Sequence, residues 1–408
     1  MGKKLTFKDV QSLFFYSKNY FLFFLGWAIS LFGSSLTKIA LPILILERTG
    51  SGFAMGMTFA LETIPSALFG PLLGALSDRY NRKIMIVASD VLRAIFLIAV
   101  LFTGNLYIIF TLIFLMGILK ALYVPVRSAI IPELVSKENF PRIVVLQGTT
   151  QRIINIAGPA LAAAIIGFTN PTFALKLDII TYLAAAILSY FVYIPIHKVS
   201  KNKGIVADMK DGFLYLFSQS LIRKLNFYWV ILNFGFGGLT VLLLLYLEEI
   251  NMDNATYGLL MTVLTIGMLL GTMAASKVKD TQKEKMLDLL PFSFGVCYSF
   301  LLFDVGTLFL FVVVLILGLN FGLFNVMASI IFGLNIPNEI RGRVYANATA
   351  FTTLAFSAST IIAGAMKEYF TVSTIFFVIG IFVAFFSFAV MIFHNKKNPH
   401  NVVKKVVN

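Results

Sequence analysis

Gly70-Pro-Leu-Leu-Gly-Ala-Leu-Ser-Asp-Arg-Tyr-Asn-Arg-Lys83 is the stretch on which the fold turns. It closes an apolar run that begins near Gly52, and a second apolar run, Ile84 to about Thr103, follows at once. Two hydrophobic segments of that length joined by a few charged residues read as a membrane hairpin with its turn in water. The composition agrees. Of 408 residues, 59% are hydrophobic and 13% charged, more apolar surface than a water-soluble domain of this size can hide.

Working outward, segments long enough to cross about 30 Å of hydrocarbon at 1.5 Å per residue fall at 20–46, 52–77, 84–103, 106–130, 144–168, 172–195, 225–248, 256–275, 287–304, 308–332, 344–366 and 373–394. The fold class is therefore all-α integral membrane, with twelve transmembrane helices. Lysines and arginines cluster in alternate connections: Lys3 to Lys18, Arg79 to Lys83, Arg127 to Arg142, Lys198 to Lys224, Lys277 to Lys285, Arg341 with Arg343, and Lys396 to Lys405. Of the opposite connections, only those holding Arg48 and Lys367 carry a basic residue. Positive residues stay on the cytoplasmic side, so both termini are expected there.

The net charge of +14 is then topology rather than nucleic-acid affinity. One cysteine, Cys297, excludes an internal disulfide or a multi-cysteine metal site. The three histidines (His197, His394 and His400) sit in loops or at span ends, so neither a metal centre nor an enzyme is expected. No cofactor is expected either, and the N-terminus lacks a small-residue cleavage site.

The expected organisation is an interfacial helix at 1–19, a six-helix bundle at 20–195, a hydrophilic linker at 196–224, a second bundle at 225–394 and a basic tail at 395–408. The two bundles look like copies of one unit. At a constant offset of 201 residues, Gly70 falls on Gly271, Gly117 on Gly318, Ser128 on Ser329, Glu138 on Glu339 and Arg142 on Arg343. Paired six-helix units that rock about a shared site are the architecture of alternating-access transporters.

Gly74-Ala-Leu-Ser-Asp-Arg-Tyr-Asn-Arg-Lys83 resembles the G-x-L-x-D-R-x-x-R-K signature of the major facilitator superfamily. Gly33-Ser-Ser-Leu-Thr-Lys-Ile-Ala-Leu-Pro42, Ser89-Asp-Val-Leu-Arg93, Pro125-Val-Arg-Ser-Ala-Ile-Ile-Pro-Glu-Leu-Val135, Gly158-Pro159 and Pro337-Asn-Glu-Ile-Arg-Gly-Arg343 are similar to its macrolide-type drug and siderophore exporters. The resemblance implies two pseudo-symmetric six-helix bundles around a small-molecule site, in the bacterial inner membrane. It implies efflux of lipophilic or amphipathic compounds, coupled to the proton gradient by antiport. The alternative is a dedicated exporter of one product, such as a siderophore or lysolipid. The expected partners are the transported small molecule and membrane lipid, and a monomer is expected.

The resemblance makes Gly70, Gly74, Asp78, Arg79, Arg82, Lys83 and Asp90 a conformational motif. Glycines one turn apart let a neighbouring helix approach. Asp78 would accept from amides at the start of the eleventh span, and Asp90 is a candidate acidic partner for the loop cations.

Ionisable groups at membrane depth cost about 2.5–3.5 kcal/mol each on insertion scales, so each needs a reason. The first half holds Lys38, Glu62, Asp90, Arg93, Lys120 and Arg152, with Lys176 and Asp178 nearer the outer surface. Glu62 lies about 4 Å and Lys38 about 8 Å outward of the middle of their spans at 1.5 Å per residue, so they can pair. Burial and a lysine partner pull on a carboxyl proton in opposite directions, which suits Glu62 and Lys38 to proton coupling or, equally, to a static pair. Asp90 and Arg93, three apart on one helix face, stand with Glu62 and Lys38 as central charges open to proton coupling, though they read first as a structural pair. Lys120 is the only basic residue near the depth at which many proton-coupled exporters carry an arginine. With Glu62, the expected cavity residues are Lys120, Arg152, Asn233, Phe236, Asn320, Phe321 and Asn325.

Overall fold

In lipid every backbone polar group needs an internal partner, so apolar runs of this length must be helical. The structure, a computed structural model, describes residues 18–77, 80–194, 205–303 and 306–397. The regular structure there is helical: α1 (Lys18–Thr49), α2 (Gly52–Ser77), α3 (Arg82–Phe102), α4 (Leu106–Leu134), α5 (Phe140–Phe168) and α6 (Pro171–Tyr190). There follow α7 (Ile205–Ser218), α8 (Ser220–Glu249), α9 (Asn254–Ala275), α10 (Asp280–Ser299), a short 3-10 turn (Phe300–Leu302), α11 (Thr307–Leu334), α12 (Asn338–Met366) and α13 (Val372–Lys397). Twelve of these helices, all but α7, are long and apolar enough to cross a membrane.

Short polar residues set the starts. Asn81, Asn105, Asn170 and Asp253 are N-caps whose side chains accept from the first free amides of α3, α4, α6 and α9. Pro171 stands at the first position of α6, where a missing N–H is harmless.

Of the expected interfacial helix at 1–19, residues 1–17 lie outside the described residues, as does 398–408 of the tail, and residues 18–19 belong to α1. The hydrophilic linker contains a helix. Residues 205–218 form α7, and 220–224 already belong to α8. α7 lies against the start of α12. Asn347 donates to the Met209 carbonyl (3.1 Å), Tyr215 donates to the Asn335 carbonyl (3.0 Å), and Arg343 approaches Asp211 at 3.5 Å. Phe213 and Phe217 pack their rings on Phe351. An amphipathic face hidden among lysines is easily read as linker.

Cα proximity divides the chain into two units. The first takes residues up to Leu44 and Leu68–Lys203, the second Ile45–Ala67 and Gly204 onward. In the first, α3 packs on α4 and α6. In the second, α9 packs on α11, α8 on α12 and α10 on α13.

The α9–α11 contact runs through glycine. Gly267 and Gly271 on α9 face Gly318 and Gly322 on α11, and a Cβ on any of the four would collide with backbone atoms of the other helix. Two G-x-x-x-G edges pressed together give helices in backbone contact. Residues 52–63 of α2, which cluster with the second unit, meet α12 similarly. Gly56 lies against the Thr360 carbonyl and Gly52 against Gly364, and the Thr63 and Ser357 hydroxyls are 2.9 Å apart.

Candidate functional site

The loop motif is partly visible. Asp78 and Arg79 lie outside the described residues. Gly70 and Gly74 are on α2, and a Cβ at Gly70 would meet open space. At Gly271, the offset partner of Gly70, a Cβ would collide with the Leu319 carbonyl of α11. Arg82, in the first turn of α3, is ion-paired with Glu133 at the end of α4 and also donates to the Ala129 carbonyl (3.4 Å). Lys83 sits 5.2 Å from the centre of the Tyr190 ring. Among the described residues, Asp90 is not the partner of Arg82 or Lys83. It lies two turns deeper and pairs with Arg93, while Glu133 reaches back to the loop.

Asp90 belongs to a buried polar cluster inside the first unit. Arg93 donates through Nη2 to Asp90 Oδ1 (2.6 Å) and through Nε to the Ser89 carbonyl (3.2 Å). Its guanidinium is clamped between two aromatic faces, Tyr123 of α4 at 4.8 Å and Tyr182 of α6 at 4.7 Å. Asp178 of α6 accepts from Thr37 of α1 (2.5 Å) on one oxygen and from Thr181 (2.8 Å) on the other. The Tyr182 hydroxyl meets Ser34 of α1 at 3.1 Å. Asp90 and Asp178 are 0% exposed and Arg93 5%.

Gly33 lets this happen. Any side chain there would run into Thr181 and Asp178. Lys176 and Asp178, two residues apart on α6, face different ways: Lys176 is exposed and Asp178 buried. The signal was present in the sequence, since Thr181 and Tyr182 follow Asp178 at helical spacing and line its face.

Of the other expected coupling residues, Lys38 is exposed in the first unit and Glu62 half-buried in the second. Lys120 and Arg152 are exposed. Arg127 sets its guanidinium over the Trp27 ring, 3.8 Å from the ring centre.

The cavity candidates of the second unit come together as two groups. Phe236 stacks on Phe321 at 4.8 Å, with Phe294 and Phe356 beyond. The asparagines are already engaged. Asn233 donates to the Trp229 carbonyl (2.8 Å). Asn320 donates to the Ile316 carbonyl (3.2 Å) and accepts from Ser293 (2.7 Å). Asn325 donates to the Phe321 carbonyl (3.0 Å) and accepts from the Trp229 indole (2.9 Å).

A cavity of about 720 Å³ opens among α8, α12 and α13, lined by Phe227, Phe234, Phe382, Phe386 and Phe393 with Arg223. Lys224, on the same rim, had been assigned to the loop, yet it is 4% exposed and binds Asp288 of α10 at 2.5 Å. Tyr228 donates to the same carboxylate oxygen (2.9 Å).

The family model described as Major Facilitator Superfamily matches residues 23–287 and 230–407. The chain belongs to the Major Facilitator Superfamily. It is 23% identical over 355 residues to macrolide efflux protein A of Streptococcus pyogenes, covering 84% of this chain and 88% of that protein. It is 24% identical over 343 residues to the staphyloferrin A transporter of Staphylococcus aureus, covering 81% and 83%. Among solved structures, the nucleoside transporter NupG superposes with a TM-score of 0.72 at 15% identity, over 92% of this chain and 98% of that one. The superfamily member is thus a transporter with efflux-type relatives, a multi-pass protein of the bacterial cell membrane.

Proposed function

We propose that this protein exports lipophilic or amphipathic small molecules across the cytoplasmic membrane by alternating access, exchanging them for protons. Both termini are placed in the cytoplasm and the working unit is a monomer. The observation that carries the substrate class is chemical. In the second unit the amides of Asn233, Asn320 and Asn325 already have partners, and what remains half-exposed beside them is phenylalanine. A sugar or nucleoside needs free hydrogen-bonding groups, because stripping its own from water without replacement is costly. A bulky apolar guest needs rings and volume, and a separate Phe-lined cavity of about 720 Å³ in the same unit, which these asparagines do not line, falls in the usual range for ligand sites. Similarity to macrolide efflux protein A supports the same reading.

The test is uptake of radiolabelled erythromycin into proteoliposomes with an acidic interior. Accumulation that collapses on adding a protonophore is expected, and accumulation indifferent to the gradient removes proton coupling. The likeness to a staphyloferrin A transporter favours a second reading, a dedicated exporter of one product such as a siderophore or lysolipid. Silence across a panel of lipophilic drugs, with gradient-driven transport of one such product, would select it.

A further inference from the structure

The reading above leaves the buried cluster of the first unit without a task. It contains two carboxylates, Asp90 and Asp178, and one guanidinium, Arg93, at 0%, 0% and 5% exposure. With both carboxylates ionised the cluster carries one uncompensated negative charge, which a low-dielectric interior tolerates poorly. A proton removes that charge and needs no cavity. We propose that this cluster binds the coupling proton of the transport cycle, with Asp178 holding the proton and Arg93 answering its loss. The proposal rests on the reading of proton-driven export.

Asp90 and Arg93 are already a neutral pair on one face of α3. Asp178 has no ion-pair partner among the described residues, and its oxygens accept from two hydroxyls, Thr37 and Thr181, with the Tyr182 hydroxyl also beside the carboxyl. Hydroxyls serve either state, since each can donate to a carboxylate or turn to accept from a carboxyl. The network is also short of one donor. Asp90 Oδ2 and Ser89 Oγ are buried without a hydrogen-bond partner, although the other Asp90 oxygen is well held and Ser30 lies beside the carboxyl. A register-fixing pair would use both oxygens of the carboxylate in a fork. Arg93 instead touches Asp90 through one nitrogen and acts electrostatically on Asp178 as well.

Among the described residues, the other ionisable groups that face the two carboxylates and Arg93 are tyrosines. Tyr123 comes from α4 and Tyr182 from α6, and Arg127 acts on Tyr123 from one turn away. From α1 come hydroxyls, and Lys38, next to Thr37, is exposed. When Asp178 loses its proton to water, the cluster's charge falls by one and Arg93 is drawn toward it. The clamping rings then pass that pull to α4 and α6, and the Ser34–Tyr182 contact passes it to α1.

The experiment compares wild type, Asp178→Asn and Asp178→Glu in proteoliposomes. It measures erythromycin accumulation with and without an acidic interior, and erythromycin exchange with no gradient. Expected results are gradient-enhanced accumulation in wild type and in Asp178→Glu, and in Asp178→Asn exchange to which the gradient adds nothing. If wild type itself ignores the gradient, the export reading falls. If wild type responds and Asp178→Asn responds equally, this inference falls alone. A reading independent of any variant's folding comes from infrared spectra of wild-type protein labelled with 13C-aspartate. A protonated aspartate carbonyl band persisting at neutral pH and vanishing on alkaline titration is expected, and its absence at neutral pH overturns the assignment.

Discussion

Replacing Lys224 by Met would leave Asp288 buried with a single neutral partner, the Tyr228 hydroxyl. Both charges of the pair sit inside the second unit, Lys224 at 4% exposure and Asp288 at 8%, with nitrogen and oxygen 2.5 Å apart. Removing one partner of a buried ion pair costs about 3–5 kcal/mol, because the surviving charge keeps its desolvation penalty and loses its attraction. At about 2–4 °C per kcal/mol for a unit of 150–250 residues, the midpoint should fall by about 6–20 °C. Removing both charges, with Lys224→Met and Asp288→Leu together, should restore most of the loss, since an apolar pair of similar volume is often neutral or better. The chain supplies its own probe. Cys297 is the one cysteine of the sequence and lies half-buried on α10, the helix that carries Asp288. A maleimide dye that fluoresces on reacting with a thiol therefore reports the opening of the helix in question. A fall of less than 2 °C in Lys224→Met, or a double variant as unstable as the single one, would refute the reasoning.

The offset partners Gly70 and Gly271 should respond in opposite ways to alanine. Gly271→Ala forces a methyl into the Leu319 carbonyl and should cost about 1–3 kcal/mol, whereas Gly70→Ala meets open space and should be neutral or slightly stabilising in the same thermal assay. Arg127→Lys should lose the guanidinium contact over the Trp27 ring, worth about 0.5–2 kcal/mol, and change the emission of that indole in a Trp229→Phe background, where Trp27 is the sole tryptophan. Arg82→Gln and Glu133→Gln should prove coupled in a double-mutant cycle of denaturation by about 0.5–3 kcal/mol, while Arg82→Gln combined with Asp90→Asn should be close to additive.

The sequence was most legible where physics leaves little choice. A run of twenty apolar residues has to be a helix in lipid, and the ends of α2, α9 and α13 fall within a few residues of the sequence reading. Hydropathy also marked the charged residues as exceptional, and the Ser89–Arg93 run drew attention to the right face of α3. What sequence could not supply was direction. Lys176 and Asp178 are two residues apart, and which of them turns inward depends on where α1 and α3 lie. Lys224 was misplaced for the complementary reason. A lysine at the end of a basic stretch looks like loop, and its partner Asp288 lies far along the chain on another helix. The asparagines stand out in the sequence as polar groups within the spans, but whether an amide is free or engaged is a question about its neighbours. The amphipathic α7 was missed because it is short and flanked by lysines, so its apolar face never made a run.

The pairing of Asp90 with Arg93 bears on how the protein is made. α3 must enter the bilayer carrying two ionisable groups, and because they lie three residues apart on one helix they can enter already neutralised by each other. Asp178 has no such companion on α6, and its hydroxyl partner on α1 was synthesised 141 residues earlier. A chain emerging N-terminus first therefore holds an unfinished cavity of Ser30, Ser34, Thr37 and Arg93 until the sixth span arrives to fill it. Completion of the cluster coincides with completion of the first six spans. A ribosome-bound intermediate ending before Asp178 should lack the packing that one ending after Tyr190 has acquired.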